Sequence, residues 1–553
     1  MNKTMSNLLY LLAVPVLLVA FALPPQAQSR AAAPKDKQQN GSQWTEAEPA
    51  MNDEFTEALI ADLSASGFQI SQGYPALYTQ QDCYERTYPI LKNCFQANPA
   101  APYVIPVVKS WPDEYVDPAS VNAFVETDPG YSASYRLDPR EAIVIYGPMP
   151  PPGRYMGLQT WEYSEHGQWR PKDYDLWANT PDLPFPIQYL FSSIPPDDPK
   201  SHRIITLSSL GDVVNNVVME RQLEDDPFGK NLYFIITPSA ATDTAIRLAL
   251  QAQGVPDSHI FTEQIPRTDD SGPIGPLGMG ENAIDFVTAF RYALPDAEET
   301  DAAESWRETL PLTVLRVRAS DSLGPVQRYG SLTFEPRTAK SEAYLADDLQ
   351  DLVDEVCDSV ISHANLTSTD CMQPPPASSF MWELVRDYGW TGPYCRDIGM
   401  DCLGDQQEAG LFFSSPRPTG DGQVYAVVAT LATETENATY VGLSANDASI
   451  MGGVPNGTLL DTQLKGSADI YESTVANTGR FFVRYFSDNC AALANVPGGS
   501  ANCTEISGMS TQGDPGLQGM IIISLRDYIA PGTTSGPDAS ELLTPRILTF
   551  TEP

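Results

Sequence analysis

The sequence predicts an α+β fold, with a mixed strand and helix N-terminal region followed by a β-sandwich-like C-terminal domain. Three observations lead there. From about Tyr103 the apolar residues recur with period two, rich in Val, Ile and Tyr and broken by Pro and Gly clusters, which is the pattern of strands. Between these runs lie segments with helical composition and helical stop signals. Beyond Pro374, Pro375 and Pro376 the pattern is strand-rich to the end, with Gly, Asn, Ser and Thr between strands.

Taken in order, residues 1–27 read as a secretory signal peptide. Lys3 is followed by an apolar run from Leu8 to Leu23, too short for a spanning helix, and by Ala27 as a small residue for cleavage. The alternative is an uncleaved anchor. Residues 28–50 are polar and rich in Ala, Lys, Gln and Ser, and read as a flexible leader. Phe55, Leu59, Ile60 and Leu63 then recur at helical spacing, with Asn52 or Asp53 to cap the helix and Gly67 to end it.

Strands are predicted at Glu141 to Tyr146, Arg154 to Tyr163, Arg203 to Leu207, Leu232 to Thr237 and Leu312 to Arg318. The first two are joined by the proline-rich turn from Gly147 to Gly153, whose prolines cannot donate to a ladder. Helices are predicted at Thr242 to Gln253, Glu281 to Leu294 and Ser341 to His363. The last carries Leu345, Leu349, Leu352, Val353, Val356 and Val360 as one core-facing stripe. Residues 51–366 therefore form an α+β domain, 367–379 a Pro-rich linker and 380–553 a β-rich domain.

One internal match suggests a duplicated β unit. Tyr155-Met-Gly157-Leu158 and Tyr440-Val-Gly442-Leu443 share Tyr, Gly and Leu in register, and each follows an apolar strand, Ala142 to Tyr146 or Val424 to Ala429. Two more apolar strands follow each: Ile204 to Leu207 and Leu232 to Thr237 in the first, Phe481 to Phe486 and Met520 to Leu525 in the second. Chance agreement of three residues is the competing account.

The formal net charge is −38, and loss of Lys3 with the leader takes it to −39. Such a field repels nucleic acid and anionic lipid, and the scattered carboxylates read as a solubility device or an adaptation to salty surroundings. Eight cysteines fall as four near-neighbour pairs: Cys83 with Cys94, Cys357 with Cys371, Cys395 with Cys402, and Cys490 with Cys503. In an exported chain these read as disulfides and not metal ligands, because no C-x2-C pair exists and only four histidines are present. Export places the protein in an extracellular or periplasmic compartment, with no membrane span once the signal is removed.

The segments Leu137 to Gly147, Pro152 to Thr160, Pro227 to Thr237 and Glu541 to Phe550 resemble an uncharacterised family of exported bacterial proteins. The resemblance spans most of Tyr103 to Phe550. It implies export and a bacterial source, and carries no activity over to any residue.

Catalytic signatures are few. The nearest approach to a nucleophile elbow, Gly442-Leu-Ser444-Ala-Asn446, lacks its second glycine. His166, His202, His259 and His363 are far apart, and Asp269 to Gly272 or Asp421-Gly422 fall short of a calcium loop. No metal and no cofactor is predicted. The candidate binding surface is the strand from Tyr155 to His166. Alternation puts Met156, Leu158 and Thr160 on one face and Tyr155, Gln159, Trp161 and Tyr163 on the other, around the gap left by Gly157. Tyr and Trp pair a flat apolar body with a polar tip, which suits a glycan or another amphipathic small ligand. The competing account buries this face under a predicted helix. Glu162, Glu165 and His166 could supply an acid and a base, so a secreted hydrolase is the alternative function, and a cell-envelope scaffold a third.

Overall fold

In β2 (Glu141–Pro148) all eight residues are buried, because the strand is covered on both faces. A near-continuous apolar run is what such a strand requires. Ile143 and Ile145 enter a core between two sheets. Ala142, Val144 and Tyr146 lie under helices α1 (Asp53–Ala65) and α2 (Ala240–Ala252), through Leu59, Leu63, Ile246 and Leu250. The computed structural model describes residues 53–91, 93–95, 101–118, 120–167, 203–209, 213–266, 276–320, 326–327, 329, 336–371, 404, 406–420, 422–511 and 513–552. They belong to one compact unit, 46–553. The predicted leader segments, the prolines at 374–376 and the pair Cys395 and Cys402 lie outside the described residues.

The first half contributes β1 (Tyr103–Lys109), β2, β3 (Gly153–His166), β4 (Arg203–Ser209), β5 (Asn231–Thr237), β6 (Ile260–Gln264), β7 (Asp285–Pro295) and β8 (Thr313–Ala319). The second contributes β9 (Ala409–Phe413), β10 (Val424–Thr430), β11 (Tyr440–Asp447), β12 (Gly452–Leu460), β13 (Phe481–Ser487), β14 (Cys503–Glu505), β15 (Met520–Tyr528) and β16 (Arg546–Phe550). In the first half the sheets run β8-β2-β5-β6, extended beyond β8 by Phe68–Gln72, and β1-β7-β3-β4, extended beyond β1 by Tyr74–Tyr78. In the second half they run β16-β10-β13-β14 and β9-β15-β11-β12.

Each strand number in the second half is the first-half number plus eight. The directions agree as well. β5 and β6 are parallel, as are β13 and β14, and the other corresponding pairs are antiparallel. Register agrees at the matched motif, since Gly157 lies opposite Arg291 and Gly442 opposite Arg526. The structure therefore places Tyr155-x-Gly157 and Tyr440-x-Gly442 at the same point of the same topology. It also shifts the equivalences expected further along: β4 corresponds to β12, β5 to β13, and β15 to β7.

β7 is a correction. Composition and the stop at Pro295 predict a helix over Glu281 to Leu294, yet Asp285–Pro295 is a strand. Its Phe286, Phe290 and Tyr292 point into the inter-sheet core with period two, while Val287 and Ala289 join the cluster on the opposite face. Val, Thr, Phe and Tyr suit a pleated surface, and ten aligned positions against β3 override the helical content of Ala and Leu. Arg203 and Ser164 bind Asp285, pinning β4, β3 and β7 together at one end.

Helix α3 (Ala346–Ala364) buries Leu349, Leu352, Val353, Val356 and Val360 against Val424, Val428 and Phe481, so the predicted stripe is core. It covers its sheet as α1 covers the other. Disulfides join Cys83 to Cys94, Cys357 to Cys371 and Cys490 to Cys503, with Cα atoms 5.6, 5.8 and 5.8 Å apart. Among the described residues no helix is long and apolar enough to cross a membrane.

Candidate functional site

Strand β3 alternates as its sequence requires. Met156 and Leu158 point into the inter-sheet core, and the opposite face carries Tyr155, Gly157, Gln159, Trp161 and Tyr163. That second face is covered, and not by one of the predicted helices. Tyr155 packs against Tyr440 and Tyr528 of the second half, with ring centroids 5.7 and 5.4 Å away. Tyr440 and Tyr528 stack at 4.2 Å, nearly parallel. Tyr163 lies edge-on to Phe124 at 5.1 Å. Gln159 is buried and accepts from Arg291 Nη2 at 3.1 Å.

A charged pair sits among these rings. Arg291 on β7 forms a buried ion pair with Glu408, just before β9. Tyr155 donates its hydroxyl proton to Glu408 Oε2 at 2.7 Å. Burial pushes the Tyr155 phenol well above its usual range, so this group stays neutral and acts as the donor. Burial also opposes the charge on Arg291, but the Glu408 carboxylate beside it prevails and holds the guanidinium above its ordinary value. Its carbon lies 5.5 Å from the Tyr155 ring centroid and 5.7 Å from that of Trp161, within cation–π range. The Gly157 gap is filled from the second half: a Cβ there would come within 2.9 Å of Glu408 Oε1 and of the Tyr155 hydroxyl.

Trp161 opens onto a cavity. About 540 Å³ of non-protein space, part of it open to solvent, lies on the outward face of the β1-β7-β3-β4 sheet. The floor is Tyr103 and Ile105 from β1, Val287 and Ala289 from β7, Trp161 from β3 and Leu207 from β4. Tyr78, Phe124, Cys94 and Phe95 close the sides, with Gly404 and Gln406 from the second half. Gln406 Oε1 accepts from Arg291 Nη1 at 2.6 Å, which ties the wall to the ion pair. The disulfide between Cys83 and Cys94 carries Phe95 over the floor, and Cys94 N donates to Ile450 O at 2.8 Å.

Two lining residues hold unusual backbone angles. Phe95 has φ +53° and Leu207 has φ +30°, in the left-handed region that costs a residue with a Cβ about 1–2 kcal/mol. Asn93 Oδ1 accepts from Phe95 N at 2.7 Å and holds the first in place. Strain of this kind gathers where surrounding structure fixes a ligand-facing residue.

Of the four candidate binding residues, then, Trp161 lines the cavity, while Tyr155, Gln159 and Tyr163 are buried beside it. Glu162 is also buried, Glu165 is half-buried and His166 exposed at the strand end. Sequence reasoning missed Arg291, Glu408, Gln406, Tyr78, Tyr103 and Phe124. The only signal for Arg291 was the match of Gly157 to Gly442, each facing an arginine across the ladder.

No family model matches the chain, and no curated protein does. Two solved structures are similar. The VPA0106 protein from Vibrio parahaemolyticus aligns with a TM-score of 0.32 at 12% identity, covering 75% of this chain and 87% of that one. A putative uncharacterized protein from Burkholderia cenocepacia aligns with a TM-score of 0.31 at 10% identity, covering 91% of each chain.

Proposed function

We propose that this is an exported bacterial binding protein, working outside the cytoplasm, that takes an amphipathic small molecule in the cavity beside Trp161. The observation that carries the reading is the cavity itself: five aromatic side chains and four aliphatic ones around a single amide, Gln406. Mostly apolar walls with few polar groups are what small-molecule sites share. Glycans need many hydrogen-bond partners, so these walls favour the amphipathic ligand of the two classes expected. A secreted hydrolase would need an acid or base at hand, and none of the described lining residues carries a carboxylate or imidazole. We read the two halves as copies of one two-sheet β unit, each sandwich-like, only the first of which carries an aromatic ring at the Trp161 position.

Thermal unfolding of the exported chain with benzyl alcohol, choline, decanoate and maltose tests this, beside the variant Ala289→Phe, which fills the cavity from its floor. A ligand at 100 times its Kd adds about 2.7 kcal/mol. We expect an amphipathic compound to raise the melting temperature of the wild type and leave Ala289→Phe unmoved. No shift with any compound, or equal shifts in both proteins, removes the proposal.

A further inference from the structure

We infer that the ligand of this cavity is a compact organic cation of the quaternary ammonium class, a reading that rests on the binding function proposed above. Tyr78, Phe95, Tyr103, Phe124 and Trp161 converge on the space, and Gln406 is the one side-chain amide among the lining residues. A quaternary ammonium group is coated with methyl groups, has no donor or acceptor to satisfy, and is attracted by the negative faces of aromatic rings. Anions meet the opposite conditions. None of the described lining residues is a lysine or arginine, and the chain carries a net charge of −38. That field raises the local concentration of cations and lowers that of anions.

Two details agree with a cation. Arg291 already lies within 6 Å of the Trp161 and Tyr155 ring centroids, so this cluster of rings holds one positive group in the resting fold. Its charge is matched by Glu408 and does not project an unbalanced field into the space. On the same floor as Trp161, Ile105, Leu207, Val287 and Ala289 give an aliphatic surface for the remainder of the ligand.

Calorimetric titration with choline and with dimethylbutanol, its neutral isostere with carbon in place of nitrogen, separates charge from shape. The two have nearly the same volume and the same hydroxyl. We expect choline to bind at least about tenfold more tightly, the size of one desolvated cation–π contact. Ala289→Phe should abolish binding of both, and Trp161→Leu should narrow the difference between them. Equal affinities would overturn the cationic class and leave the binding function standing. Binding of neither would overturn both. Choline affinity unchanged in Ala289→Phe would place any cation site elsewhere and overturn the inference.

Discussion

Among the described residues, eight strands of the first half correspond to eight of the second in order and direction, and the halves differ in what they do with the matching outward face. At the point where Gly157 opposes Arg291, the first half receives Glu408 into the gap. In the second, Gly442 opposes Arg526, which reaches Ser524 Oγ at 3.1 Å, and no described atom lies within 4 Å of a Cβ built on Gly442. Trp161 corresponds to Asn446 and Ala289 to Ser524, so the aromatic and apolar wall of one half is a hydrogen-bonded polar patch in the other. A shared backbone frame evidently fixes core alternation, while the outward face is free to take up chemistry.

Removing Glu408 should be the largest single blow to this arrangement. Glu408→Ala leaves Arg291 buried without its counter-ion and Tyr155 without its acceptor, and should lower stability in urea by about 3–5 kcal/mol. A loss below about 1 kcal/mol, as for a surface pair, would mean that the pair does not hold the halves together.

The crossover between parallel strands comes next. The first half uses helix α2, capped by Ser239, whose hydroxyl accepts from Thr242 N. The second uses a short 3-10 turn closed by Cys490 and Cys503, 13 residues apart. Replacing both cysteines by Ala should cost about 3 kcal/mol, and Ser239→Ala about 1 kcal/mol. Reversed magnitudes in urea unfolding would show that the helix, not the disulfide, is the more critical crossover.

The equivalent glycines sharpen the comparison further. Gly157→Ala drives a methyl into the Glu408 carboxylate and should destabilise by about 1–3 kcal/mol. Gly442→Ala meets open space and should stabilise by about 0.4–1 kcal/mol through a less flexible unfolded chain. Similar unfolding midpoints for the two variants would erase the distinction between the halves.

A last difference between the halves lies in pH dependence. Tyr292 of the first half corresponds to Asp527 of the second, a buried carboxyl whose Oδ1 has no hydrogen-bond partner. Burial, and then the nearby Glu342 charge, push it well above the usual carboxylate range. A folded-state value above the unfolded one gives stability that is fully present below the unfolded value, about 3.9, and is lost as pH rises through the folded value. Asp527→Asn should therefore gain about 1 kcal/mol on the wild type at pH above the folded value, and nothing near pH 3. Parallel stability curves for the two proteins would contradict the assignment.

Much of the frame was legible in the sequence, because local periodicity and turn chemistry decide it. β2, β3, β5, β8, α1 and α3 follow from apolar spacing and from Gly and Pro positions. β7 was not legible: its Ala, Leu and Tyr content is compatible with a helix, and only pairing with β3 settles it. The site was hidden for a related reason. Arg291 is separated by 132 residues from Gln159 and by 117 from Glu408, and no local pattern reports such contacts. Strand alternation turns Trp161 away from the inter-sheet core and onto the cavity; Tyr155 and Tyr163 obey the same alternation but are covered by distant segments.

If the cavity floored by Trp161 and Ala289 takes an apolar cation, that ligand must be visible there. A crystal structure of the exported chain grown with saturating choline tests it most directly. We expect density for the trimethylammonium group against the Trp161 ring. A cavity holding only ordered water under those conditions, or choline bound at another place, would contradict it.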